Sequence, residues 1–222
     1  EKADFFDQVA RHGRSQTRKA LVQALARRVE FALADAAGVV DRSVQTFGEA
    51  FPSLQGLERP EHALLAPAAR QRWQAWAASL GQRPNNPPQK AAQGVIDAFL
   101  LPDDPGAMAD RLAKLRSAFF VKDHDRLNRY LEKLPEAQQA EVELQLLCAA
   151  VRQHEAWAHH QRMARLVRLL LACFADFKRE QGWVDMNDVE GAARRLLGDA
   201  ELSGWLQQRL DARLRHVLID EF

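Results

Sequence analysis

Pro135-Glu136-Ala137-Gln138-Gln139-Ala140 opens a stretch that runs to Lys178-Arg179-Glu180-Gln181 without a glycine or a further proline. Inside it Leu144, Leu147, Cys148, Val151, Trp157, Met163, Leu166, Leu170, Cys173, Phe174 and Phe177 recur at three- and four-residue steps. That spacing keeps apolar side chains on one face of a 3.6-residue helix. The stretch reads as one helix of about 45 residues, well beyond the usual globular length. Gly182 is placed to end it as a C-cap.

The segments upstream also read as helix. Ser15 can cap a helix from Gln16 to Ala36, with Leu21, Leu25, Val29, Phe31 and Leu33 on its apolar face. A second helix is expected over Val39 to Ala50, stopped by Pro52, and a third from Pro67 to Leu80. Gly81 to Pro88 holds three prolines and reads as a loop that divides two helical layers. Helices resume at Gln89 to Leu100 and at Pro105 to Phe119. Asp123 or Asp125 can cap a short helix to Leu134. Downstream of Gly182, Asp185 or Asn187 can cap a helix to Leu197, and Asp199 another to Leu214. The expected organisation is a helical layer over residues 1–83, a helical insertion over 89–214, and a strand over 215–222. The fold class is mainly α.

With 222 residues, 47% of them hydrophobic and 27% charged, the chain can bury a sizeable core. A net charge of +1 makes no bulk electrostatic case for nucleic acid. Cys148 and Cys173 fall on the long helix roughly 37 Å apart at 1.5 Å per residue, too far to pair. No 18-residue apolar run and no signal-peptide pattern is present. A soluble, cytoplasmic protein with no membrane partner is the expectation.

The last residues, His216-Val217-Leu218-Ile219-Asp220-Glu221-Phe222, break the helical pattern. Three bulky apolar positions without alternation suit a strand buried on both faces of a parallel sheet. Such a strand needs neighbours for its backbone groups. Together with a start at Glu1 rather than Met, this leads us to expect a segment cut from a larger protein. An apolar strand that delivers an acidic pair from its C-terminal end matches the Mg²⁺-holding strand of P-loop NTPases. Asp220 would then face the metal and Glu221 the attacking water. The competing reading is a strand ending in a solvated acidic turn. The partner motif Gly-x-x-x-x-Gly-Lys-Ser/Thr is absent from these residues, so the chain alone should not hydrolyse ATP.

Val184-Asp185-Met186-Asn187-Asp188-Val189 and Leu218-Ile219-Asp220-Glu221-Phe222, taken together, resemble the superfamily 1 helicases of the UvrD/RecB/AddA type. In that family an apolar-Asp-Phe-x-Asp-Leu segment follows a long helix, and a strand ending Asp-Glu-Phe-Gln-Asp-Thr, the Walker B motif, comes after. This chain has Met186 where Phe is usual and stops at Phe222, before the Gln. The resemblance covers residues 172–222 by motif and is architectural before Arg116. It implies that the strand belongs to a truncated RecA-like sheet and that the helices form the insertion of the first motor domain. It further implies a parent that uses ATP and Mg²⁺ to unwind DNA in double-strand break repair, with single- and double-stranded DNA and a second helicase-nuclease subunit as partners. Asp220 would be the metal ligand and Glu221 the catalytic base. Asp185 and Asp188 would cap and orient a helix. A helical protein–protein interaction module without a motor is the alternative.

Arg162, Arg165 and Arg168 form a ridge on the long helix, and Arg14, Arg18, Lys19, Arg27 and Arg28 a second basic cluster. The ridge is a candidate for DNA phosphate contacts, against the plainer reading of a solvated face with compensating acids. His154 and His159 point about 140° apart on a helix, and no metal-ligand spacing is present. Trp73, Trp76, Trp157, Trp183 and Trp205 could stack on bases, but tryptophan at helical spacing more often packs in a core.

Overall fold

The computed structural model describes residues 2–122 and 124–211. The expected strand over 215–222, and with it Asp220 and Glu221, lies outside the described residues. Among those described, the chain is mainly α, with eleven α-helices and no strand. In chain order these are α1 (Lys2–His12), α2 (Arg14–Ala26), α3 (Arg28–Ala36), α4 (Val39–Arg42), α5 (Phe47–Ala50) and α6 (Pro67–Gly81). Then follow α7 (Asn86–Phe99), α8 (Met108–Phe119), α9 (Pro135–Gln181), α10 (Met186–Gly198) and α11 (Ala200–Asp211). The chain divides into two compact units. One is Gly38–Ala164; the other comprises the described residues before Gly38 and those from Arg165 onward. The long helix α9 contributes to both, changing over at Arg165.

The Gly38–Ala164 unit carries the main core. Trp73, Leu80, Val95, Met108, Leu115 and Phe119 are essentially closed to solvent and pack against Leu144 and Leu147 of α9. The Trp73 indole nitrogen donates to Glu143 at 3.0 Å and Trp76 donates to Gln139 at 3.0 Å, so both rings pack while their N–H groups stay satisfied. Helix α7 begins at Asn86, with Pro87 and Pro88 in its first turn, where a missing N–H leaves no bond unmade. The proline cluster thus starts a helix, and α6 and α7 form a hairpin. The layer division expected at residues 84–88 falls inside this unit. Arg111 is fully buried yet fully engaged. Its guanidinium donates to the carbonyls of Ala98, Leu64, Leu101 and Pro102 and to Asp103, and lies 4.8 Å from the Phe99 ring centroid. It caps the C-terminal end of α7 from inside the core.

Three expected helices have different limits. The stretch Val39 to Ala50 splits, because Thr46 adopts an extended conformation and forms a capping box with Glu49 that starts α5 afresh. Residues 16–36 divide at Arg27, whose φ and ψ of −104° and 33° interrupt the helix, and Gly13 rather than Ser15 precedes α2. No helix forms between residues 124 and 134. Phe120 and Leu127 make an isolated antiparallel bridge there, and the Asp125 carboxylate is taken by Arg116 at 2.9 Å and by Arg152 instead of capping. By contrast, α9 spans 47 residues, Pro135–Gln181, on the limits the pattern gave.

Candidate functional site

The end of α9 and the start of α10 are built together. Gly182 has φ +65°, the left-handed turn that glycine adopts without strain. Trp183 N–H donates to the Lys178 carbonyl at 2.9 Å and Gly182 N–H to Arg179 at 3.3 Å, which is a Schellman stop. The Trp183 ring meets Phe177 edge-on at 5.3 Å, closing the motif with an apolar contact. Two residues on, Asp185 caps α10. Its carboxylate accepts from the Asp188 N–H at 3.2 Å, and the Asp188 carboxylate accepts from the Asp185 N–H at 3.0 Å. The capping role expected for this acidic pair is what the geometry gives.

Two cations join the pair. Lys178 Nζ lies 2.6 Å from both Asp188 oxygens and 3.1 Å from Asp185 Oδ2, and 5.0 Å from the Phe174 ring centroid. Arg28 Nη2 donates to Asp185 Oδ1 at 2.5 Å. With its side-chain oxygen turned toward Arg28, Asn187 accepts from both Nη atoms at 3.1 Å. Burial pushes the Asp185 carboxyl up, but hydrogen bonds from Lys178 and the Asp188 amide, with the charges of Arg28 and Lys178, bring it below the ordinary range. The bond to the Asp185 backbone and that from Lys178 lower Asp188. Burial lowers Lys178, and its bonds to Asp188 and Asp185 more than reverse this, so its ammonium is held above the ordinary value. A lysine kept protonated in this way cannot act as a nucleophile at neutral pH. The cluster is a structural lock that ties α3 and the end of α9 to the start of α10.

Beside the lock lies a groove of about 670 Å³. Helix α3 lines it with Arg28, Val29, Ala32 and Leu33. Helix α9 lines it with Leu171, Phe174, Ala175 and Lys178, one stripe at i, i+3, i+4 and i+7. Helix α10 adds Asn187, Asp188, Gly191, Arg194 and Arg195, again a single stripe. The floor is apolar and the rim carries four cations against one carboxylate. Val184 and Met186, just ahead of the α10 wall of the groove, are 72% and 70% exposed.

The other residues singled out in the sequence lie elsewhere. Arg165 makes two bonds to Asp4, at 2.9 and 2.8 Å, and Arg168 grips Asp35 through Nε at 3.1 Å and Nη2 at 2.5 Å. Two guanidinia of the expected ridge are therefore tied to carboxylates of the same chain. Arg162 is half-buried, with its Nε unbonded. His160 Nε2 lies 2.6 Å from the Val40 carbonyl, while His154 meets Phe47 edge-on at 5.4 Å. Trp205 lies under the Arg209 guanidinium at 4.8 Å. Among the described residues no group of three or more His, Cys, Asp or Glu could hold a metal, and no helix is long and apolar enough to cross a membrane.

No protein-family model, curated protein or solved structure matches this chain. Its sequence and geometry are the grounds for a functional reading.

Lys178 was the locally legible partner of the acidic pair, seven residues ahead of Asp185 and on the last turn of a helix that a glycine ends. Arg28 carried no such signal, since 157 positions separate it from Asp185.

Proposed function

We propose that this chain is a segment of an ATP-dependent DNA helicase or helicase-nuclease of the UvrD/RecB/AddA type, acting in double-strand break repair or recombination. One arrangement supports this. A very long helix stops at Gly182, an acidic capping box at Asp185 and Asp188 opens the next helix, and Leu218-Ile219-Asp220-Glu221-Phe222 follows, 35 residues (220 minus 185) after the cap. In the parent protein Asp220 would hold Mg²⁺ beside ATP and Glu221 would activate the hydrolytic water. The helices would shape the DNA path beside the motor, in contact with DNA or a second helicase-nuclease subunit.

The test is the coding sequence on either side, followed by ATPase assays on the longer protein. Gln-Asp-Thr or a near variant directly after Phe222, a Gly-x-x-x-x-Gly-Lys-Ser/Thr upstream, and DNA-stimulated ATP hydrolysis abolished by Glu221→Gln are the expected results. A stop codon immediately after Phe222 removes the proposal. The exposed apolar side chains around the groove favour a second reading, a helical protein–protein interaction module with no motor.

A further inference from the structure

We infer that the groove between α3, α9 and α10 is a docking site for an acidic amphipathic helix of a partner protein. Three observations converge on that occupant. The groove walls are helix stripes, and Leu171 to Lys178 spans about two turns, which fits a guest helix presenting side chains at i, i+3, i+4 and i+7. The floor of Leu33, Leu171 and Phe174 is apolar, while Val29 and Leu33 remain 37% and 46% open to solvent.

The charge decides the class of guest. Arg28 and Lys178 are already matched by Asp185 and Asp188. Arg194 and Arg195 are exposed on the rim, and among the described residues their side chains carry no hydrogen bond or ion pair. Two unmatched guanidinia beside an apolar floor call for carboxylates flanking an apolar stripe. A nucleic acid would find cations here but little ring surface, because Phe174 is already covered by Arg28 at 5.6 Å and by Lys178.

Gly191 marks the point of approach. It sits mid-helix on the groove wall, has no left-handed backbone angle to justify it, and a Cβ built there meets nothing within 4 Å. Glycine weakens a helix interior, and among the described residues no atom lies in the space it leaves. A guest backbone can come close over that position. The inference is independent of the motor reading; it gives the interaction reading a site and a partner class, and its failure leaves Asp220 and Glu221 untouched.

The test uses the 222-residue chain and a fluorescein-labelled helical peptide of about 15 residues, with Leu on one face and Glu on both flanks. A matched peptide carries Lys for every Glu, and a labelled single-stranded oligonucleotide and anionic phosphatidylglycerol vesicles complete the set. Anisotropy should show the Glu peptide binding in the micromolar range and weakening with salt, with the Lys peptide at least about tenfold poorer. Gly191→Met should abolish binding while helicity and melting temperature are kept or rise. Arg194→Glu with Arg195→Glu, both exposed positions, should reverse the preference toward the Lys peptide, and this arm decides the matter should Gly191→Met disturb the fold. Equal binding of the two peptides, no binding of either up to about 1 mM, or capture of the oligonucleotide or vesicles with the same sensitivity to these substitutions would overturn the proposal.

Discussion

The Lys178 ammonium sits 2.6 Å from both oxygens of the Asp188 carboxylate, so the last turn of α9 and the first turn of α10 share one ion. Substituting Lys178→Met should raise the Asp188 carboxyl only part of the way to its ordinary value of 3.8, because the capping bond to the Asp185 backbone remains and is the larger cause of the shift. Carboxyl-carbon NMR titration of both proteins checks this. In the parent chain, stability from Asp188 is complete above 3.8 and is lost as pH falls through the lower folded value. The Lys178 contribution has the opposite sign. It is complete below 10.5 and is lost as pH rises through the raised folded value. Unfolding midpoints across the acid and alkaline limbs should show both declines in the native chain, and Lys178→Met should lose the alkaline one.

Gly94 and Gly191 are helical glycines with opposite consequences. A Cβ on Gly94 would lie 2.5 Å from the Ala118 Cβ, so α7 and α8 would have to separate. Gly94→Ala is expected to destabilise by about 1–2 kcal/mol, overpacking outweighing the better helix propensity of alanine. Gly191→Ala meets open space and should stabilise by up to ~1 kcal/mol. Chemical denaturation of the two variants side by side tests the sign of each.

Arg111→Met should cost about 2–4 kcal/mol. It leaves the carbonyls of Leu64, Leu101 and Pro102 without their Arg111 donor, and that of Ala98 with backbone N–H donors alone. Arg111→Lys should recover only part of this, since one ammonium with three donors cannot span the same acceptors. Asp103→Asn should lower the melting temperature by less than Arg111→Met, because the carboxylate is half exposed and the buried Arg111 keeps its four carbonyl acceptors.

His154 is held below its ordinary value of 6.5, first by burial and then by the Arg59 charge, against the smaller opposing pull of Glu61 and Glu155. The stability this gives is complete above 6.5 and falls as pH drops toward the folded value. Between about pH 7.5 and 5.5 the melting temperature should decline slightly, and His154→Phe, which keeps an aromatic edge against Phe47, should flatten that slope.

Local signals set most of the helix limits. Gly182 after an unbroken apolar repeat fixed the end of α9 and Pro67 the start of α6; of the two caps offered for α10, Asp185 and Asn187, the structure uses Asp185. Thr46 and Glu49 formed a capping box whose three-residue spacing was present in the sequence, although the apolar run around it suggested one longer helix. The division at Arg27 and the bridge between Phe120 and Leu127 had no such local mark. Both depend on contacts that a short window does not contain.

By itself, the sequence determined that this protein is mainly helical, where its long helix runs, and that a cap at Asp185 or Asn187 opens the helix after it. These follow from backbone hydrogen bonding and side-chain period, which act over a few residues. Only the tertiary structure decided that Arg165 and Arg168 would close on Asp4 and Asp35, that Arg28 would reach Asp185, and that three helix stripes would leave a cation-rimmed groove. Those partners lie more than a hundred positions apart, and which charges are matched depends on the packing that brings them within a few ångströms.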